Sequence, residues 1–381
     1  MRSGRSSGGM ARHASLLALV LSGLCVLGAS SASAEQISHP GRNGKLVFAQ
    51  TCTDYSGSGE GKSCARHFAS MSADGSAFRL LSPNKTFSDY RARLSPDGRS
   101  VLDGGGAFGE LPTSISALRL VGGKLTTIYS GLLSIRTELS VAPGDWFPDG
   151  KRIAFLGYKG SRTGIYTIGV DGKQQRTIRT FSDRRSRDGG PRFSQLTVSP
   201  DGRRFAFVRS TPLGTHALYV MNANGSGLKR LMNRCDTTLD DWSPDGKRLL
   251  VSIEEYPDPK QPCLSGRHTF GFYIVSASSG AATRVFTEKR FETPNPPWAP
   301  EPSGLKPPLG VFSPDGTRIA FMVQRTPGAS ALYNTIMVMR ANGTDLRTVR
   351  KGEARMIQDG PFQVCTRCVS YAALGWQRVA R

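Results

Sequence analysis

Short apolar runs recur along this chain, and the same polar punctuation separates them. Asp97 opens DGRSVLD, Asp149 DGKRIAF, Asp201 DGRRFAF, Asp245 DGKRLLV and Asp315 DGTRIAF. Four of these Asp-Gly pairs end an SPDG tetrapeptide, beginning at Ser95, Ser199, Ser243 and Ser313, and the fifth ends FPDG, beginning at Phe147. Asn43 opens NGKLVFA, a sixth and degenerate copy. From Asn43 to Asp315 the starts recur about every 50 residues, within the range of structural repeats. Runs this short and rich in β-branched and aromatic residues read as strands. Proline fixes φ, aspartate caps the turn and glycine accepts a positive φ, so each tetrapeptide reads as a tight turn.

Each unit has a second half. Tyr166–Val170 leads to Asp171-Gly172, Leu218–Met221 to Asn224-Gly225, Phe272–Val275 to Ser279-Gly280 and Ile336–Met339 to Asn342-Gly343. Asp74-Gly75 and Gly122-Gly123 serve the first two units, and a β run follows each pair. The unit is strand, turn, strand, loop, strand, turn, strand. Four antiparallel strands make a blade, and a period of this size is that of blades closing around an axis. The predicted fold is all-β, a six-bladed β-propeller. The first blade begins at its second strand. Tyr371–Gln377, YAALGWQ, is similar to the strand that carries Asp241-Trp242-Ser243 and stops where SPDG would begin. The C-terminal strand is therefore predicted to complete the first blade and leave no unpaired edge in the ring.

SPDG followed by R-I-A-F resembles the WD-like repeats of the TolB-type six-bladed propeller family, over Gly41 to Gln377. The resemblance implies the fold. It implies no single activity, since the blade serves periplasmic TolB, propeller halves of prolyl-oligopeptidase-type peptidases and many other exported proteins. TolB carries an α/β domain ahead of its propeller, whereas here only Glu35–Pro40 separates the predicted cleavage site from the first unit.

Residues 1–34 read as a leader, and residues 35–381 as the propeller domain. Arg2, Arg5 and Arg12 precede an apolar run, Leu16–Leu27, and Ala32-Ser33-Ala34 closes it. That is a secretory signal peptide with cleavage before Glu35, whether translation starts at Met1 or Met10. Cleavage leaves 47 basic and 29 acidic residues, a net charge of +18. Such a chain is attracted to anionic polymers of the cell envelope. Of the 50 basic residues 37 are arginine, spread through every part of the chain, so charge alone marks no site. Six cysteines remain: Cys52, Cys64, Cys235, Cys263, Cys365 and Cys368. An even number in an exported chain points to disulfides. The expected pairs are Cys52–Cys64, Cys235–Cys263 and Cys365–Cys368, with a Cys52–Cys368 link as the alternative.

Catalytic signatures are sparse. No G-x-S-x-G elbow occurs, and no D-x-D-x-D-G calcium loop. Ser56–Ser63, SGSGEGKS, lacks the first glycine of a phosphate loop and has no helix pattern after it. The aspartates Asp97, Asp149, Asp201, Asp245 and Asp315 read as turn caps rather than metal ligands. Histidines do not cluster in sequence, and no metal or cofactor is expected.

Geometry locates the variable material. SPDG and Asn-Gly turns share one face of a propeller, and all remaining connections share the other. The stretch from the first turn to the second is longest in the first unit, Asn43 to Asp74, and in the fifth, Asp245 to Ser279. In the first the excess loop holds Cys52 and Cys64, in the fifth it holds Cys263, and Cys235, Cys365 and Cys368 fall in plain connections between blades. Function concentrates on loops over a rigid scaffold. The looped face is therefore the expected binding surface, and the arginine-rich stretch with Arg184, Arg185 and Arg187 is a candidate anion contact on it. The expectation is an exported, monomeric, non-catalytic binding scaffold for a protein or an anionic envelope polymer, with nucleic acid set aside. The alternative is a glycan lyase or hydrolase with its site in the central channel.

Overall fold

The computed structural model describes residues 42–379, apart from the connecting segments 55–61, 83–92, 106–113, 131–139, 160–161, 183–192, 211–214, 236, 256–268, 290–309, 326–332 and 360–361. The leader, Cys263, Arg184, Arg185 and Arg187 lie outside the described residues.

Every element of the described residues is a strand. The first blade holds β1 (Arg42–Asp54), β2 (Lys62–Met71) and β3 (Arg79–Ser82). Blade two holds β4 (Arg93–Leu94), β5 (Ser100–Gly105), β6 (Ser114–Arg119) and β7 (Leu125–Ser130). Blade three holds β8 (Ser140–Trp146), β9 (Arg152–Lys159), β10 (Arg162–Gly169) and β11 (Arg176–Ser182). Blade four holds β12 (Phe193–Val198), β13 (Arg204–Ser210), β14 (Thr215–Asn222) and β15 (Lys229–Cys235). Blade five holds β16 (Thr237–Trp242), β17 (Arg248–Glu255), β18 (Thr269–Ser276) and β19 (Ala282–Lys289). Blade six holds β20 (Gly310–Phe312), β21 (Arg318–Arg325), β22 (Tyr333–Arg340) and β23 (Arg347–Arg350). The chain ends with β24 (Glu353–Asp359) and β25 (Phe362–Val379), which return to the first sheet. All pairings are antiparallel. Strands β25, β4, β8, β12, β16 and β20 touch one another in that order and back to β25, so they line the axis. The molecule is a six-bladed β-propeller.

The C-terminal strand completes the first blade, as predicted. Leu46 stands opposite Trp376, Val47 opposite Gly375, Phe48 opposite Leu374 and Ala49 opposite Ala372. Two features differ from the sequence reading. Cys52 and Cys64 lie not in a loop but on β1 and β2, directly opposite each other. The segment after β23, read as a plain connection, folds into a hairpin. There β24 pairs with the first half of β25, from Glu353 opposite Val369 to Asp359 opposite Phe362. The first sheet thus has five strands, with β24 on the edge of β25 away from β1. This hairpin also removes the expected Cys365–Cys368 bridge. Both cysteines sit on the extended strand β25. Residues three apart on a strand are about 10 Å apart, beyond the roughly 7 Å that a disulfide spans.

The core is divided among the seams. Each of six apolar clusters joins two neighbouring blades. Strand alternation causes this. In blade five Leu249, Val251 and Ile253 pack toward blade four, while Leu250 packs toward blade six. Strands buried on both faces read as continuous apolar runs, which is why RIAF, RFAF and RLLV recur.

The turns lock the same seams. In the second turn of every blade but blade two, glycine reaches positive φ and backs onto a carbonyl of the outermost strand of the blade before. A Cβ on Gly75 would lie 2.8 Å from the Val349 oxygen, and one on Gly225 2.7 Å from the Ile178 oxygen. No side chain fits there, and the backbone conformation already favours glycine.

Candidate functional site

Each SPDG turn is held from within. Ser199 Oγ donates to Asp201 Oδ1 at 2.6 Å, and Oδ1 also accepts the Arg203 N–H at 3.0 Å. Ser199 Oγ in turn accepts the Arg204 N–H at 2.9 Å. Ser95–Asp97, Ser243–Asp245 and Ser313–Asp315 repeat this set. Hydrogen bonds to the carboxylate hold Asp201, Asp245 and Asp315 below the usual range against the opposing effect of burial. In the FPDG turn Phe147 has no hydroxyl to offer. Asp149 keeps the Lys151 N–H and pairs with Arg152 at 2.8 Å, whose guanidinium lies 4.2 Å above the Phe147 ring.

These turns surround the channel mouth on the short-turn face. A cavity of about 170 Å³ opens there, bordered by turn prolines and by Trp146, Trp242 and Trp376. In blades two, three and five the last inner-strand residue but one before the turn forms its polar wall: Arg93, Asp145 and Asp241, joined by Arg378 from the end of β25. Asp145 accepts the Trp146 N–H at 2.8 Å and, from the next blade, the Val198 N–H at 3.1 Å. Asp241 accepts the Trp242 N–H at 2.9 Å and, from the next blade, the Phe312 N–H at 2.9 Å. Each carboxylate is therefore a clasp between blades.

Burial dominates the electrostatics. It raises the Asp145 pKa, while Arg93 and the two N–H donors work against it. It pushes Asp241 up to about 6, opposed by Arg93 and the Phe312 N–H and reinforced by Asp145. Burial also lowers the Arg378 pKa, and the Asp241 charge opposes this. The mouth is thus a crowded set of two acids and two guanidinium groups. Among the described residues, no group of three or more His, Cys, Asp or Glu side chains is placed to hold a metal ion.

Sequence reasoning pointed to the opposite face and missed these four residues. A signal existed: Asp145-Trp146 and Asp241-Trp242 are the same dipeptide at the same distance from a turn. Arg93 becomes visible only when the repeats are aligned, and Arg378 only when closure is known. The cysteines are dispersed. Cys235 ends β15 and is disulfide-bonded. Val369 and Cys368 on β25 stand opposite Cys52 and Thr53 on β1.

No protein-family model matches the chain, and no curated protein matches it. Among solved structures it is similar to an oligogalacturonate lyase in complex with manganese, at TM-score 0.50 and 9% identity, over 88% of this chain and 98% of that one. It is also similar to TolB from Acinetobacter baumannii, at TM-score 0.44 and 14% identity, over 82% and 78% of the two chains. A chain of a nidogen/laminin complex matches at TM-score 0.49 and 12% identity, over 80% and 93%. Likeness at these identities reaches the fold and no further. Propellers host unrelated functions, so function has to be read from this chain's own residues.

Proposed function

We propose that this chain is an exported, non-catalytic propeller scaffold that binds a protein or an anionic glycan through its looped face. The observation that carries the reading is the contrast between the faces. On the short-turn face, the carboxylates of Asp145 and Asp241 are engaged in clasping blades together. On the other face, the first blade runs on as the β24–β25 hairpin beside prolonged β1 and β2. Long connections leave the ring there, including the one with Arg184, Arg185 and Arg187. Residues 1–34 serve as the export signal, and Cys52–Cys64 and Cys235–Cys263 staple the looped face. A disulfide needs Cα atoms about 5.5 Å apart, the spacing that opposed residues on antiparallel strands provide.

Immobilised protein should retain an acidic polysaccharide or an envelope protein, and retention should fall when Arg184, Arg185 and Arg187 are all replaced by glutamine. Its salt dependence should flatten at the same time, since exposed charge attraction is screened. Depolymerisation of an acidic polysaccharide that Asp241→Asn abolishes would instead establish the channel enzyme.

A further inference from the structure

The outer corner of the short-turn face carries a pattern that neither the channel nor the looped face uses. Where the second turn of a blade enters its outermost strand, large apolar side chains stand in solvent. They are Phe78 and Leu80 in blade one, Val121 and Leu125 in blade two, Leu228 in blade four and Leu346 in blade six, between 36 and 68% exposed. Among the described residues these are all the exposed large apolar side chains. Single exposed leucines scattered over a surface need no explanation. Here the exposure recurs at one place in the repeat. Arg79, Lys229 and Arg347 occupy equivalent registers beside the same strand irregularity, opposite Ser70, Val220 and Val338. Phe78, Leu228 and Leu346 each come one residue earlier.

Basic side chains interleave with this rim. Arg79, Lys124, Lys229, Arg230 and Arg347 are exposed beside the apolar residues. The basic residue that follows the first turn points to the same face: Arg99, Lys151, Arg203 and Lys247 are exposed there, with Lys173 from a second turn. The acids of the face are largely engaged. The first-turn aspartates and Asp74 and Asp171 of the second turns cap their own backbone. Asp149 and Asp245 also pair with Arg152 and Arg248, Asp345 pairs with Arg318, and Asp74 faces the charge of Arg347. The face presents cation to a partner.

Equivalent positions in a closed ring lie in one plane across the axis. A flat surface touches points on blades one, two, four and six together. Apolar side chains ringed by cations fit a layer with an anionic surface and an apolar depth. We propose that the short-turn face seats on an anionic phospholipid bilayer, with the rim side chains entering the headgroup layer and the basic residues meeting lipid phosphates. The looped face then points away from the membrane.

The test is co-sedimentation of the exported protein with vesicles of phosphatidylcholine alone or mixed with phosphatidylglycerol. Wild-type protein should pellet with the mixed vesicles, stay in solution with phosphatidylcholine alone, and be released by salt. Joint replacement Leu80→Ser, Leu125→Ser and Leu346→Ser should weaken partition about tenfold or more, as should Arg79→Gln, Lys124→Gln and Arg347→Gln. Wild-type protein that stays in solution with the mixed vesicles overturns the proposal without recourse to any variant. A leucine variant that pellets like the wild type also overturns it. That result would leave a charge-only surface for a soluble polyanion, checked by equal retention of both proteins on dextran sulfate.

Discussion

The seam between blades four and five and the seam between blades one and two are built from the same repeat, yet they are fastened differently. At the first, eleven buried apolar residues meet, from Ala206 to Ala277. Gln195 Oε1 accepts the Leu239 N–H at 2.7 Å across the seam. Arg204 donates to the Gly246 carbonyl at 2.5 Å and lies 5.0 Å from the Trp242 ring. The outer turn backs onto the neighbour, where a Cβ on Gly280 would be 2.5 Å from the Leu231 oxygen. At the second, the described cluster holds six buried residues, Val47 to Leu120, and among the described residues nothing lies within 4 Å of a Cβ on Gly122. The outer turn of blade two stands clear of blade one, which is why Val121 and Leu125 are so exposed. Here Gln377, which stands where a turn serine would, substitutes for a turn and donates to the Gly98 carbonyl at 3.0 Å. A ring assembled from repeats is tightest between its most regular copies, and its slack collects beside the blade that the two chain ends complete.

The largest test of this contrast removes the closure. Deleting Tyr371–Arg381 takes away the inner strand of blade one together with Gly375, Trp376 and Gln377. Both flanking seams lose packing and an edge opens. The truncated protein should show no cooperative thermal transition by circular dichroism. A melt like that of the full chain would mean that the ring does not depend on its C-terminus.

A narrower test compares two glycines. Gly280 and Gly122 share nearly the same backbone, φ +83° and +82°, so the conformational strain of alanine is matched. They differ in what lies behind. Gly122→Ala should cost about 1 kcal/mol, the strain of the left-handed conformation alone. Gly280→Ala adds a collision with the Leu231 carbonyl and should cost about 3 kcal/mol. Equal losses in urea unfolding would show that the outer turn contributes nothing to the tighter seam.

How much of this was legible beforehand follows from where each residue stands in the repeat. Blade number, closure and the roles of the turn glycines are written locally, in tetrapeptides that any window of the chain reveals. Asp145, Asp241, Arg93 and Arg378 belong to four different blades, and only the ring brings them to one mouth. The lengths of β1, β2 and β25 were hidden for another reason. Thr51, Cys52 and Thr53 suit a strand, but the cysteines and the glycine-rich stretch after them suggested a loop. For β24, Glu353–Asp359 has no strong strand pattern, and its pairing comes from β25 alongside.

The two carboxylate clasps sharpen the comparison through pH. Asp145 joins blades three and four and Asp241 joins five and six, each next to Arg93, and Asp241 also near Arg378. The Asp241 pKa is raised in the fold, from 3.8 to about 6. The native state therefore binds the proton more tightly than the unfolded chain. Stability from this group is fully present below pH 3.8 and is lost as pH rises through about 6. Asp201, Asp245 and Asp315, whose pKa values are lowered, act in the opposite sense and lose stability as pH falls through the acid range. Asp241→Asn should flatten the decline in melting temperature between those two pH values and leave the acid limb unchanged. An unchanged slope in that window would place the titration elsewhere.

The smallest effect lies at the other side of blade one, where it meets blade six. There the degenerate copy replaces aspartate with Asn43, which faces the turn aspartate of its neighbour. Asn43 Nδ2 donates to Asp315 Oδ2 at 2.8 Å, and the Asp315 N–H donates to Asn43 Oδ1 at 3.2 Å. Only an amide can be donor and acceptor in this pair at neutral pH. Asn43→Ala deletes two exposed bonds and should cost about 1 kcal/mol. Asn43→Asp keeps the shape but sets a carboxylate against Asp315, whose pKa is already held low by Ser313, Thr317 and Asn43. It should destabilise more than alanine at neutral pH, and the excess should fade with added salt or as pH falls through the carboxylate range. Chemical denaturation at two pH values separates the cases. If aspartate is tolerated as well as asparagine at neutral pH, this contact is surface decoration, and blade six is held to blade one by packing around Trp376 and by the Gly75 turn against Val349.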